Sequence, residues 1–148
     1  MKKILAILYM LCLIIGINGC KKAPINSDIE GLWRLKQFTI LETDKSITCQ
    51  RLYYSITRMV TEVSEKEGPN GYGTYISRTE YRENGTQLVL KDFKVRSSTS
   101  DNKQNAPIES LRNFGINNQQ ETIFNIIHCN GKTMMLRSDY AQLELEKF

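Results

Sequence analysis

Residues 29–148 predict an all-β, mainly antiparallel fold, a meander of about eight strands curling into a barrel, with one short helix. Three observations predict it. Two Asn-Gly pairs, Asn84-Gly85 and Asn130-Gly131, each separate segments patterned with apolar residues. An Asn-Gly pair between two such segments favours a tight hairpin, because a type I′ turn needs positive φ at both central residues. The apolar segments are short and closely spaced, as in sandwiches and barrels. Finally, several of them switch the parity of their apolar positions partway along.

The elements follow in order. Gly31–Leu41 reads as a strand in which Trp33 and Leu35 share one side while Phe38 and Ile40 take the other parity. Arg51–Val63 reads as a second long strand, in which Leu52, Tyr54 and Ile56 give way to Met59, Thr61 and Val63. Side chains alternate faces with period two, so a parity switch marks an inserted residue or a change of buried face. Strands bending around a closed barrel would show it. Polar SEKEGPNGY (64–72) is a loop, and Asn84-Gly85 joins strands Gly73–Glu83 and Thr86–Val95. Leu88 and Leu90 in the latter switch to Phe93 and Val95.

Residues 97–106 are polar and predict a loop. Pro107 then opens a short helix whose stripe is Ile108, Leu111 and Phe114, with Gly115-Ile116 as its C-terminal cap. This helix would plug or flank an open barrel end. Asn130-Gly131 joins strands Glu121–Cys129 and Lys132–Ser138, and Ser138-Asp139-Tyr140 turns into the last strand, Ala141–Lys147.

The start of the chain has a different character. Lys2 and Lys3 precede an uncharged run from Ile4 to Ile17, and small residues close it. That is a secretory signal peptide, 1–19, and its apolar run is shorter than the roughly 20 residues a membrane span needs. Ile17-Asn18-Gly19-Cys20 resembles the lipobox of bacterial lipoproteins. The resemblance implies cleavage before Cys20 and a covalent lipid on it, with residues 20–28 as a tether. Two or more acyl chains anchor a soluble domain stably, whereas one does not. Lys21, not Asp, follows the cysteine, and no acidic run follows it. By the same resemblance the protein sits in the outer membrane, facing the periplasm.

Removing 19 of the 148 residues leaves 129, enough for one domain with a single core. Lys2, Lys3, Lys21 and Lys22 carry the whole net charge of +4, leaving 16 basic residues against 16 acidic. A neutral domain lacks the basic face that nucleic acid requires. Cys49 and Cys129 remain in an oxidising compartment, where they either pair as a disulfide or persist as two small buried thiols.

Gly31-Leu32-Trp33 resembles the Gly-x-Trp motif of lipocalins and other calycins, and Leu136–Phe148 is similar to the ending of small lipocalin-like lipoproteins of Bacteroides-type bacteria. The likeness spans Ile29–Phe148. It implies a lipocalin-like barrel in which Trp33 closes the floor. No catalytic motif emerges. His128 is the single histidine, and as a strand neighbour of Cys129 it points to the opposite face. No metal, no cofactor beyond the lipid and no enzyme activity are expected. What remains is binding: a small apolar or amphipathic ligand inside the barrel, with Tyr54, Tyr75, Phe124, Ile126 and Met135 as inward candidates. The alternative is a barrel filled by its own side chains, serving as a module that grips an envelope protein.

Overall fold

The computed structural model describes residues 26–148. The signal peptide, Cys20 and most of the tether therefore lie outside the described residues. The strands are β1 (Gly31–Ile40), β2 (Lys45–Ile56), β3 (Val60–Glu65), β4 (Thr74–Arg82), β5 (Gln87–Arg96), β6 (Asp101–Asn105), β7 (Glu121–Cys129), β8 (Thr133–Arg137) and β9 (Ala141–Lys147). A five-residue helix, α1 (Ile108–Arg112), sits between β6 and β7. All strand pairings are antiparallel. Eight strands close a ring in the order β1-β2-β3-β4-β5-β7-β8-β9 and back to β1. The exposed β6 hangs on the far half of β5, outside the ring.

The three parity switches have two different causes. In β1 the register slips between Leu35 and Gln37, so Lys36 is an inserted bulge residue and Phe38 regains the inner face. In β5 the slip falls at Asp92, whose φ of +52° is tolerable for a short polar side chain. The segment expected as one strand, Arg51–Val63, is instead two. The chain reverses at Thr57-Arg58-Met59, closed by the Thr57 amide and hydroxyl, both donating to the Val60 carbonyl at 2.9 and 2.7 Å. No Gly, Pro or Asn marks that turn, which is why the pattern conceals it. Likewise β2 begins at Lys45, ahead of the expected Arg51, in sequence with little alternation.

The Asn-Gly hairpins also differ from each other. Glu83, Asn84 and Gly85 all have positive φ. At the other hairpin only Gly131 does, while the Asn130 side chain accepts from the Lys132 and Thr133 amides at 2.9 and 2.8 Å.

The ring has a closed end and an open end. At the closed end, the chain entering β1 packs Ile29 beneath Trp33, both fully buried. The Trp33 indole N–H donates to the Ile29 carbonyl at 2.6 Å, and the Lys147 ammonium lies 4.5 Å from the ring centroid. Gly31 has a φ of +140°, which side-chain-bearing residues rarely adopt, so glycine is favoured there, and a Cβ would stand 2.5 Å from the Lys147 ammonium and displace it. At the open end α1 and its flanks turn apolar side chains into the barrel, with Leu111, Phe114 and Ile116 fully buried. The Gly115 φ of +77° ends the helix, and a Cβ there would meet Leu143 at 3.0 Å and the Phe38 ring at 3.2 Å. Phe93, Phe124, Leu88, Leu90 and Leu136 complete one continuous core.

Candidate functional site

The barrel interior is full. Trp33, Tyr54, Phe93, Phe114 and Phe124 have essentially no exposed surface. The Tyr54 hydroxyl donates to the Phe114 carbonyl at 2.5 Å, tying β2 to the end of α1 across the barrel. Tyr75 meets the same Phe114 ring edge-on with centroids 6.2 Å apart. Burial foremost, with the Cys49 thiol adding to it, pushes the Tyr54 phenol well above its ordinary range.

The expected inward residues thus divide. Tyr54, Tyr75 and Phe124 belong to the core, and half-buried Ile126 packs against it. Met135 does not face inward. Met134 and Leu136 take the inner face, because side-chain direction on β8 is set by the Asn130-Gly131 turn and by the bulge at Ile127 opposite. Met135 lies on the outer wall beside His128 and Glu144.

The two cysteines are free thiols and do not form a disulfide. Cys49 lies on β2 and Cys129 on β7, four strands apart either way around an eight-strand ring, hence on opposite walls. A disulfide needs Cα atoms roughly 5.5 Å apart. Instead the Cys49 thiol donates to the Ile47 carbonyl and the Cys129 thiol to Asp28. Burial pushes Cys49 up to about 11, so it is an inert thiol rather than a nucleophile.

One concave region, of about 490 Å³, lies on the outer wall around Met135 and His128, and another lies at the mouth, a cleft of about 460 Å³. One wall is apolar: Phe38 from β1, Ile47 and Leu52 from β2, Tyr72 from the 66–73 loop, and Tyr140 from the β8–β9 turn. The other is polar, with Thr48, Gln50, Asn70, Asn113 and Arg112.

Two devices position these groups. The 66–73 loop is clasped by the Glu65 carboxylate, which accepts from the Asn70 amide at 3.0 Å, the Asn70 side chain at 2.9 Å and the Tyr72 amide at 2.8 Å. Desolvation pushes the Glu65 carboxyl up, but the hydrogen bonds from Tyr72 and Asn70 together outweigh it and hold the group below its usual value. Arg112, in the last turn of α1, is steered by its Nε–H, which donates to the Asn117 side chain at 2.8 Å.

The charge pattern sets this arginine apart from several on the walls. Arg82 is held by Glu80 and Glu121, Arg34 by Glu146 and Arg96 by Glu62. Arg112 has no acidic partner among the described residues, and no lining residue of the cleft is acidic. The cleft is therefore an apolar shelf with one cationic group, whose terminal amino groups suit paired hydrogen bonds to an anionic group.

None of the expected binding residues lines this cleft. Its lining comes from five places in the chain, and a patterned strand does not reveal which residues end up near a rim. The legible signal was the predicted helix at an open end, since a helix that covers a mouth places its last turn beside it.

A family model described as "Lipocalin-like domain" matches residues 11–148. A lipocalin-like protein from Bacteroides uniformis of known crystal structure superposes with a TM-score of 0.59 at 14% identity, covering 82% of this chain and 99% of that one. An uncharacterized protein from Bacteroides eggerthii gives 0.61 at 12% identity, covering 82% and 100%. At such identities the likeness is one of fold. No curated protein matches the chain at a significant level.

Proposed function

The chain belongs to the lipocalin-like domain family, and on that premise we propose that it is a lipid-anchored envelope protein that binds a small amphipathic molecule at its barrel mouth. The carrying observation is the mouth cleft: an apolar wall of Phe38, Ile47, Leu52, Tyr72 and Tyr140 with the single cation Arg112. Such a surface suits a molecule with a hydrocarbon part and one anionic group. The protein acts by binding and release, without catalysis, metal or cofactor. The anchor is the lipid on Cys20, and the domain sits on the outer membrane facing the periplasm, as the Ile17–Cys20 sequence supports.

Calorimetric titration with dodecanoate and dodecanol tests the cleft. Dodecanoate should bind with one-to-one stoichiometry and more tightly than dodecanol. Adding a charge to the apolar wall, Ile47→Glu, should abolish both. Absence of binding by either probe, with no co-purified small molecule in native mass spectrometry, would sink the reading. For the anchor, Cys20→Ser should end labelling by palmitate, and continued incorporation would refute the assignment.

A second reading has its own observation behind it, the filled interior. A barrel packed with Trp33, Tyr54, Phe93, Phe114 and Phe124 suits a scaffold that presents the 66–73 loop and the 97–106 segment, which carries strand β6 where a loop was expected, to an envelope protein. A stoichiometric protein partner lost on altering those two segments, together with an empty cleft, would favour it.

A further inference from the structure

The closed end of the barrel carries most of the exposed apolar side chains. Four large hydrophobic residues among the described ones stand exposed: Met59, Ile123, Ile127 and Phe148. Three lie at the closed end. Met59, 65% exposed, is in the β2–β3 turn beside the start of β1. Phe148, 74% exposed, follows β9, its amide donating to the Leu32 carbonyl at 2.9 Å. Ile127, 54% exposed, is the residue inserted in β7 two positions before its closed-end terminus. The mouth turns at 41–44 and 138–140 carry none.

The chain outside the structure says what covers this end. Cys20 precedes Asn26, the first described residue, by six positions. Six residues span at most about 20 Å when fully extended. The ten residues of β1 carry the wall from the closed end to the mouth, a height of about 25 Å once the tilt of barrel strands is allowed for. A lipid on Cys20 can thus bring the closed end to the bilayer, but the tether is too short for the mouth to reach it. Charge does not oppose the contact, since Asp28, Glu30 and Glu83 at this end are matched by Arg58, Lys132 and Lys147, with Lys21 and Lys22 beside the lipid.

We infer that the closed end is a membrane-docking surface, with Met59, Ile127 and Phe148 seated in the bilayer interface and the mouth cleft held away in the aqueous phase. This rests on the proposed lipidation of Cys20. It adds an orientation that the anchor alone does not impose, and it makes the bilayer, not a second copy or a protein, the occupant of the apolar patch.

The test uses the full lipidated protein in vesicles of phosphatidylethanolamine and phosphatidylglycerol, with Cys49 and Cys129 replaced by alanine and single cysteines carrying a fluorophore. Met59→Cys and Ile127→Cys report the closed end, Glu42→Cys and Asp139→Cys the mouth; all four sites are exposed, and circular dichroism checks each fold. Nitroxide-labelled lipid should quench the closed-end sites several-fold more than the mouth sites. Equal quenching at both ends, with the protein still floating on the vesicles, overturns the docking and leaves the anchor intact. Closed-end probes shielded from a water-soluble quencher yet out of reach of the lipid nitroxide mean that protein covers the patch, which also overturns it. A chain that takes up no palmitate and does not float removes the anchor, and the docking with it.

Discussion

At the closed end two polar groups at the tryptophan have partners inside the chain: the indole N–H has the Ile29 carbonyl, and the Lys147 ammonium has the Glu30 carbonyl and the Trp33 ring. At the mouth, Phe114 and Leu111 reach the same core, but Arg112 beside them is left facing solvent without an acid among the described residues. Both ends stop the barrel with buried aromatic rings. They differ in the cation beside those rings: Lys147 is engaged by the Glu30 carbonyl and the Trp33 ring, whereas Arg112 has no acidic partner among the described residues. A plug that merely sealed the barrel would have no need for a cleft with a single cation.

The contrast yields a graded set of expectations. Trp33→Ala should be the most damaging change, costing about 4 kcal/mol, in the range for emptying a buried aromatic site. Chemical denaturation should show a large fall in midpoint, and a loss under about 1 kcal/mol would mean that the closed end is not the keystone. Gly115→Ala should cost ~2 kcal/mol through its left-handed φ and its approach to Phe38 and Leu143. Because the strain falls at the mouth, this variant should also weaken dodecanoate binding, which a closed-end change of equal cost should not.

Arg112→Gln should leave the denaturation midpoint nearly unchanged, as expected for an exposed side chain, yet weaken dodecanoate about tenfold, the scale of one charge-assisted hydrogen bond. Dodecanol affinity should stay put. If both probes lose affinity equally, Arg112 shapes the cleft and does not read charge.

The smallest effect concerns pH. Glu65 is held below its usual carboxyl value in the folded chain, so its clasp contributes fully above the ordinary glutamate range. That contribution is lost as pH falls through the lowered folded value. Amides 66–72 should then exchange faster at acid pH below the ordinary glutamate range while the closed end stays protected, and Glu65→Gln should show the faster exchange already at neutral pH. Uniform loosening of both ends would contradict the local role of the clasp.

How legible all this was depended on the range of the interaction involved. The Asn84-Gly85 and Asn130-Gly131 hairpins and the α1 stripe of Leu111 and Phe114 rest on residues a few positions apart, and they could be read directly, while the burial of Trp33 at the floor was implied by the likeness of Gly31-Leu32-Trp33 to the calycin motif. The reversal at Thr57-Arg58-Met59 escaped because it is closed by a threonine side chain in sequence that continues an apolar pattern. Met134 and Met135 could not be told apart, since one inserted residue at Ile127 shifts the pairing opposite them. Cys49 and Cys129 looked pairable only because nothing local records that their strands face each other across the ring.

The amino-acid sequence by itself determined an antiparallel meander, its glycine turns and the short helix after Pro107, because each follows from backbone sterics and local alternation, while the place of Trp33 at the floor was implied by the resemblance of Gly31-Leu32-Trp33 to the calycin motif. Tertiary structure alone decided that aromatic rings fill the interior, that a cleft forms at the mouth, and that Arg112 stands there without an acid. Those outcomes depend on which distant strands become neighbours when the ring closes, and on which side chains claim the limited volume inside it.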